Sequence, residues 1–125
     1  MERLTLAASQ LTPLVDFDYD RRMLVMRGES YPENAGEFYR PILASLRRYL
    51  SDAAQTGKLT VELQFAYVNS SSTRSLQQLL ALLASASNVD VAVSWVVDPD
   101  DDSMAELGLD LLSDKPSLSY EIIHP

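Results

Sequence analysis

The stretch that most limits what this chain can become is Leu59 to Leu83, LTVELQFAYVNSSSTRSLQQLLALL. Leu59, Val61, Leu63, Phe65 and Tyr67 fall on alternate positions, the period of a strand with one buried face. Asn69, Ser70, Ser71, Ser72 and Thr73 then put short polar side chains in a row. Leu76, Leu79, Leu80 and Leu83 follow at the spacing of a core-facing helix. A strand thus passes into a helix through a cluster of hydroxyls. The first N–H groups of a helix lack internal partners, and Ser, Thr or Asn side chains satisfy them. One of Ser70, Ser71 and Ser72 is the expected cap, which leaves hydroxyls to spare. A helix start also favours added negative charge. A phosphate on Ser70 or Ser71 would sit in that field, with Arg74 about one turn away. On the residues alone, a well-capped turn with surplus polar side chains is the simpler account.

The remaining pattern extends the same alternation. Leu14–Phe17 and Met23–Arg27 read as a hairpin around a turn-like Asp18–Arg21. Met1 to Leu11 reads as a loose arm or an edge strand. Asn34 and Glu37 have capping-box spacing, ahead of a helix with Phe38, Ile42, Leu46 and Tyr49 on one stripe and Leu43 and Leu50 beside it. Pro41 lies inside that helix and either kinks it or marks a later start. Asn88 is the expected end of the second helix. Val89, Val91, Val93, Trp95 and Val97 alternate as another strand. A third helix, with Met104, Leu107 and Leu111 inward, and a last strand through Leu118, Tyr120 and Ile122 complete the order ββαβαβαβ. This is a single α/β domain over residues 1–125, a mixed sheet of about five strands with three helices. Strand-to-helix loops of such a sheet share one rim, where function usually resides. Ser30, Tyr31, Pro32, Glu33 and Asn34 lie in one such loop, Asn69 to Arg74 in another. Tyr31, an aromatic in a rim loop, is a candidate binding anchor or a core-packing residue.

Composition narrows the function classes. Eighteen acidic against ten basic residues give a net charge of −8, which disfavours nucleic-acid binding and docking to anionic membrane. With 46% hydrophobic residues a folded core is expected. The chain has no cysteine, which suits a reducing cytoplasm. MERLTLAASQ has neither the charge pattern nor the apolar run of a signal peptide, and no stretch is long enough to insert in a bilayer. Cytoplasmic placement follows as an expectation.

Catalytic signals are weak. The only histidine, His124, is next to the last residue, a poor place for an oriented base. No phosphate-binding glycine motif occurs. Asp98-Pro99-Asp100-Asp101-Asp102 lacks EF-hand spacing and reads as a solvated loop capping a helix. Asp16, Asp18 and Asp20 belong to a turn, and Trp95 to the core. No catalytic residue, metal site or cofactor is expected. A small acidic ligand-binding or hydrolase domain built on Asp100 and Asp101 is kept as an alternative.

Three segments carry a family likeness: GESYPEN (Gly28–Asn34), EFYRP (Glu37–Pro41) and YVNSSSTRSL (Tyr67–Leu76). Together they resemble the SiaC family of bacterial regulatory phosphoproteins, from about Thr12 to the end of the second helix and more loosely beyond. The resemblance implies a fold similar to STAS-type anti-sigma-factor antagonists, in agreement with the element order. It also implies a partner switch without catalysis. A Ser/Thr protein kinase phosphorylates such proteins and a PP2C-type phosphatase reverses it. The unmodified form binds and activates a GGDEF diguanylate cyclase, raising cyclic di-GMP and promoting biofilm or aggregation. The family's acceptor follows the Asn of an Asn-Thr-Ser-Ser motif. Here that position is Ser70, a Ser in place of the usual Thr, with Ser71 and Ser72 as alternatives. Ser30, Tyr31, Pro32, Glu33, Asn34, Asn69, Ser71, Ser72 and Arg74 are the expected partner-binding residues. An anti-sigma-factor antagonist that binds an anti-sigma kinase is the nearest alternative.

Overall fold

Adjacent parallel strands need a crossover between them, usually a helix, and three such units follow one another here. The computed structural model describes residues 3–125. It contains β1 (Arg3–Leu6), β2 (Leu14–Asp18), β3 (Met23–Ser30), α1 (Ala35–Ser51), β4 (Gly57–Val68), α2 (Ser70–Ala84), β5 (Val89–Val96), α3 (Asp102–Ser113) and β6 (Ser119–Ile123). The sheet order is β1-β2-β3-β4-β5-β6. β1, β2 and β3 form an antiparallel meander, and β3 to β6 pair in parallel. Crossovers between adjacent parallel strands are right-handed. Three in the same direction therefore set α1, α2 and α3 side by side on one face, α1 touching α2 and α2 touching α3.

The two faces of the sheet differ accordingly. Towards the helices point Val15, Phe17, Leu24, Met26, Leu59, Val61, Leu63, Val93 and Trp95, all buried. Each such side chain removed from water contributes about 1.5–3 kcal/mol. The helix-free face carries charge, paired across strands: Arg3 with Asp16 at 2.9 Å and Arg27 with Glu62 at 2.6 Å. Trp95 is fixed from the helix side. Its Nε1 donates to the Met104 carbonyl at 2.9 Å, and α3 can approach because position 108 is glycine: a Cβ there would run into the indole.

Several expectations are corrected. Among the described residues the sheet has six strands rather than about five, because the segment read as a loose arm or an edge strand is the edge strand β1, paired with β2; Met1 and Glu2 lie outside the described residues. The second helix ends at Ala84 rather than Asn88. Ser85 closes it, with its N–H on Ala81 O at 3.1 Å and its hydroxyl on Leu82 O at 2.6 Å. Pro41 does not delay α1, which starts at Ala35 and carries the proline on an exposed side. There the missing N–H leaves a carbonyl that water can reach. On the inner stripe of α1, Tyr39 is fully buried and Phe38 only partly.

Candidate functional site

The last residues of β3 and β4 depart from regular pairing. Gly28 pairs with Phe65 but Glu29 pairs with Tyr67, so Ala66 is an extra residue on β4. A bulge of this kind shifts side-chain alternation by one. Tyr67 consequently faces outward, 48% exposed, whereas strict alternation puts it in the core. Val68 turns inward instead, opposite Ser30, which keeps the inward parity of Leu24 and Met26 on β3. Gly28 makes the distortion possible with φ +126°, a backbone state that L side chains rarely adopt.

Both strands then run into helix starts that are tied together. Asn69 N–H donates to Ser30 O at 2.9 Å. Asn69, not a serine, caps α2: its Oδ1 accepts Ser72 N–H at 2.8 Å. Asn has the carbonyl reach that places it among the best caps, and this frees the serines behind it. Asn34 caps α1 in the same way, accepting Glu37 N–H at 3.0 Å.

The freed hydroxyls divide. Ser72 points inward, fully buried, and accepts from Ser30 Oγ at 2.9 Å; Ser30 Oγ lies 2.7 Å from Tyr39 Oη. Each hydroxyl has a single proton, so with Ser30 donating to Ser72, Tyr39 donates to Ser30. Burial pushes Tyr39 up to about 12, the serine hydroxyls pulling the other way. Ser70 and Ser71, by contrast, are exposed. Ser71 Oγ reaches Asn69 Oδ1 at 3.3 Å, and Thr73 Oγ1 donates back to Asn69 O at 3.0 Å. The Ser70 hydroxyl makes no hydrogen bond among the described residues. Exposed Arg74, one turn on, forms no ion pair among them.

The structure therefore separates the expected site residues. Glu33, Asn34, Ser70, Ser71 and Arg74 are exposed, and Tyr31, Asn69 and Thr73 partly so. Ser30, Pro32 and Ser72, expected on the partner face, are instead buried. Ser30 and Ser72 are enclosed between β3, α1 and α2 by their own hydrogen bonds, and Pro32 is buried. Burial likewise removes Ser72 as an acceptor in this conformation. Two residues of the rim escaped the sequence reading: Tyr39, which anchors the hydroxyl chain, and Tyr67, stacked edge-on against Tyr31 with centroids 5.4 Å apart. Parity hid Tyr67, and only a bulge could have exposed it.

The acidic loop uses its carboxylates on its own backbone. Asp98 Oδ1 accepts Asp100 N–H and Asp101 Oδ1 caps α3 on Met104 N–H, both at 3.1 Å. Among the described residues no group of acids and histidine is arranged to hold a metal ion, and no helix is long and apolar enough to cross a membrane.

Comparison with known proteins converges on one family. The model of the SiaC family of regulatory phosphoproteins matches residues 6–124. The uncharacterized protein PA14_02130 of Pseudomonas aeruginosa strain UCBPP-PA14 is 30% identical over 116 residues, covering 91% of this chain and 90% of that one. The crystal structure of apo-SiaC from P. aeruginosa superposes with a TM-score of 0.87 at 30% identity, covering 98% of each chain. The SiaC chain in the complex of the diguanylate cyclase SiaD with its activator SiaC, also from P. aeruginosa, gives a TM-score of 0.87 at 30% identity, with 95% of this chain and 97% of that chain covered.

Proposed function

Because this chain belongs to the SiaC family of regulatory phosphoproteins, we propose that it is a non-enzymatic partner switch whose state is set by phosphorylation of Ser70. In its unmodified form it binds and activates a GGDEF diguanylate cyclase. A Ser/Thr kinase writes the mark and a PP2C-type phosphatase removes it. The observation that carries this reading is the exposed Ser70 hydroxyl at the first position of α2, free of hydrogen bonds among the described residues, beside the equally free Arg74.

The energetics of a switch fit that position. A phosphoryl group brings nearly two negative charges and three acceptor oxygens. On the free protein it would extend into water near the positive end of α2, within reach of the Arg74 guanidinium. The fold keeps every contact it has. A partner packed over the hydroxyl would instead enclose an uncompensated charge, which costs about 3–5 kcal/mol. A loss of ~3 kcal/mol already weakens binding more than a hundredfold.

The test uses purified SiaD of P. aeruginosa, the cyclase of the neighbouring complex. Wild type is expected to bind it and raise its cyclase rate. Ser70→Asp is expected to bind roughly a hundredfold more weakly, with an unchanged circular dichroism spectrum and a melting temperature within a few degrees. Equal binding by the two proteins, or kinase-catalysed label mapped by mass spectrometry to another residue, would refute the reading.

A further inference from the structure

Among the described residues three large apolar side chains are exposed: Leu11 at 37%, Tyr67 at 48% and Leu109 at 49%. Two of them converge on one place. Tyr67 stacks edge-on against Tyr31, and Tyr31 N–H donates to Leu11 O at 2.8 Å, which ties the backbone that carries Leu11 to the backbone that carries Tyr31. Three separate segments thus assemble Leu11, Tyr31 and Tyr67 on the rim. Tyr67 is three residues before Ser70 on the same strand-to-helix passage.

We propose that Leu11, Tyr31 and Tyr67 form the anchoring half of the partner face, and that it accepts an apolar side chain flanked by Lys or Arg. This rests on the reading of the Ser70 rim as the partner face. The bulge at Ala66 exists at a cost: it breaks the ladder and brings an aromatic ring out of the core. Burial of Tyr67 on the inner face would have been favourable, so its exposure calls for a compensating use. Exposed, rigid aromatics next to apolar surface are the commonest hot spots of protein interfaces. The charge of the border sets the rest of the partner's chemistry. Glu29 stands opposite Tyr67 in the ladder, and Glu29 and Glu33 are both exposed. On a chain of net charge −8, these carboxylates select a basic neighbour for the apolar anchor. The two halves then divide the work: the aromatic patch supplies affinity, and Ser70 decides whether that affinity is reachable.

Binding of purified SiaD of P. aeruginosa to variants of the full chain tests this. Tyr67→Ala and Leu11→Asp are each expected to weaken binding roughly tenfold or more. Tyr67→Phe keeps the ring and stays within about threefold, and Leu109→Asp, an equally exposed apolar site on the outer side of α3, leaves binding unchanged. The association rate falls as salt rises, because the acidic border steers a basic partner. Should Tyr67→Ala fail to fold, Leu11→Asp decides alone. Wild-type affinity in both patch variants overturns the proposal even if Ser70→Asp abolishes binding. Wild-type affinity in Ser70→Asp with loss in the patch variants overturns the switch and leaves the patch standing. A wild type with no affinity for SiaD overturns both.

Discussion

Ser70 and Ser72 belong to the same turn and have the same chemistry, yet the fold gives them opposite surroundings. Two residues along a helix rotate a side chain by about 200°. Ser70 therefore meets solvent while Ser72 meets Ser30 and Tyr39. The outer hydroxyl has no partner among the described residues and carries the proposed function. The inner one is buried and hydrogen-bonded and carries geometry: through Ser30 it ties the first turn of α2 to the end of β3 and to Tyr39 of α1. A face that must be modified without disturbing the fold needs both. The outside has to be free of structural duty, and the inside has to hold the backbone beneath it.

The sharpest way to break this comparison is to put the same charge on both sides. Ser72→Asp would bury a carboxylate against the hydroxyls of Ser30 and Tyr39, which cannot neutralise it, a loss of about 3–5 kcal/mol. For a domain of this size that is a large share of total stability. Denaturant midpoints should collapse for Ser72→Asp while Ser70→Asp melts like wild type. Equal stability of the two variants would mean that α2 starts at another angle than the one described.

The cap between them sharpens the comparison further. Asn69 satisfies the Ser72 N–H and holds the Ser71 hydroxyl. Asn69→Ala should cost ~1 kcal/mol in urea unfolding. The main loss would appear as faster amide exchange at Ser71, Ser72 and Thr73, since the frayed turn no longer positions Ser70. A kinase that reads an ordered turn would then label Ser70 more slowly. Unaltered exchange and labelling would detach the cap from the switch.

Much of this molecule could be read before any coordinates. The alternations of β2 to β6 and the leucine stripe of α2 fixed the layers, because period 2 and period 3.6 are direct consequences of backbone geometry. The strand-to-helix passages placed both candidate loops on one rim. The failures are equally physical. Strict alternation misplaces Tyr67, because a bulge inserts one residue and nothing local in FAYVN announces it. The burial of Ser30 and Ser72 is not legible in the sequence, because a buried hydroxyl is stable only when a partner arrives from elsewhere in the chain, and Ser30 and Ser72 are 42 residues apart. The sequence does not single out Asn69 as the cap, because Asn and Ser are nearly equal in that role.

The smallest effects test whether the inner network is a network at all, and the two buried tyrosines of α1 supply the control. Tyr39 and Tyr49 are both enclosed, and burial raises the pKa of each. They differ in their hydroxyls: Tyr39 is bonded into the serine chain, while Tyr49 Oη is a buried side-chain polar atom with no partner among the described residues. Removing a satisfied hydroxyl leaves the buried Ser30 oxygen without its donor, so Tyr39→Phe should lose ~1–2 kcal/mol. Removing an orphan relieves a desolvation cost, so Tyr49→Phe should be neutral or gain up to ~1 kcal/mol. The signs oppose, although the chemical change is identical. Alkaline pH gives an independent readout. A tyrosine whose folded pKa, about 12, lies above its ordinary 10.0 holds its proton in the fold after the unfolded chain has released it. Its contribution is fully present below pH 10 and falls as pH climbs from there towards 12. Wild type should therefore lose stability over that interval more steeply than Tyr39→Phe, in which that ionisation is absent. If Tyr39→Phe and Tyr49→Phe shift stability in the same direction, the serine chain is packing rather than hydrogen bonding, and the inner side of the turn loses its claim to hold the outer side in place.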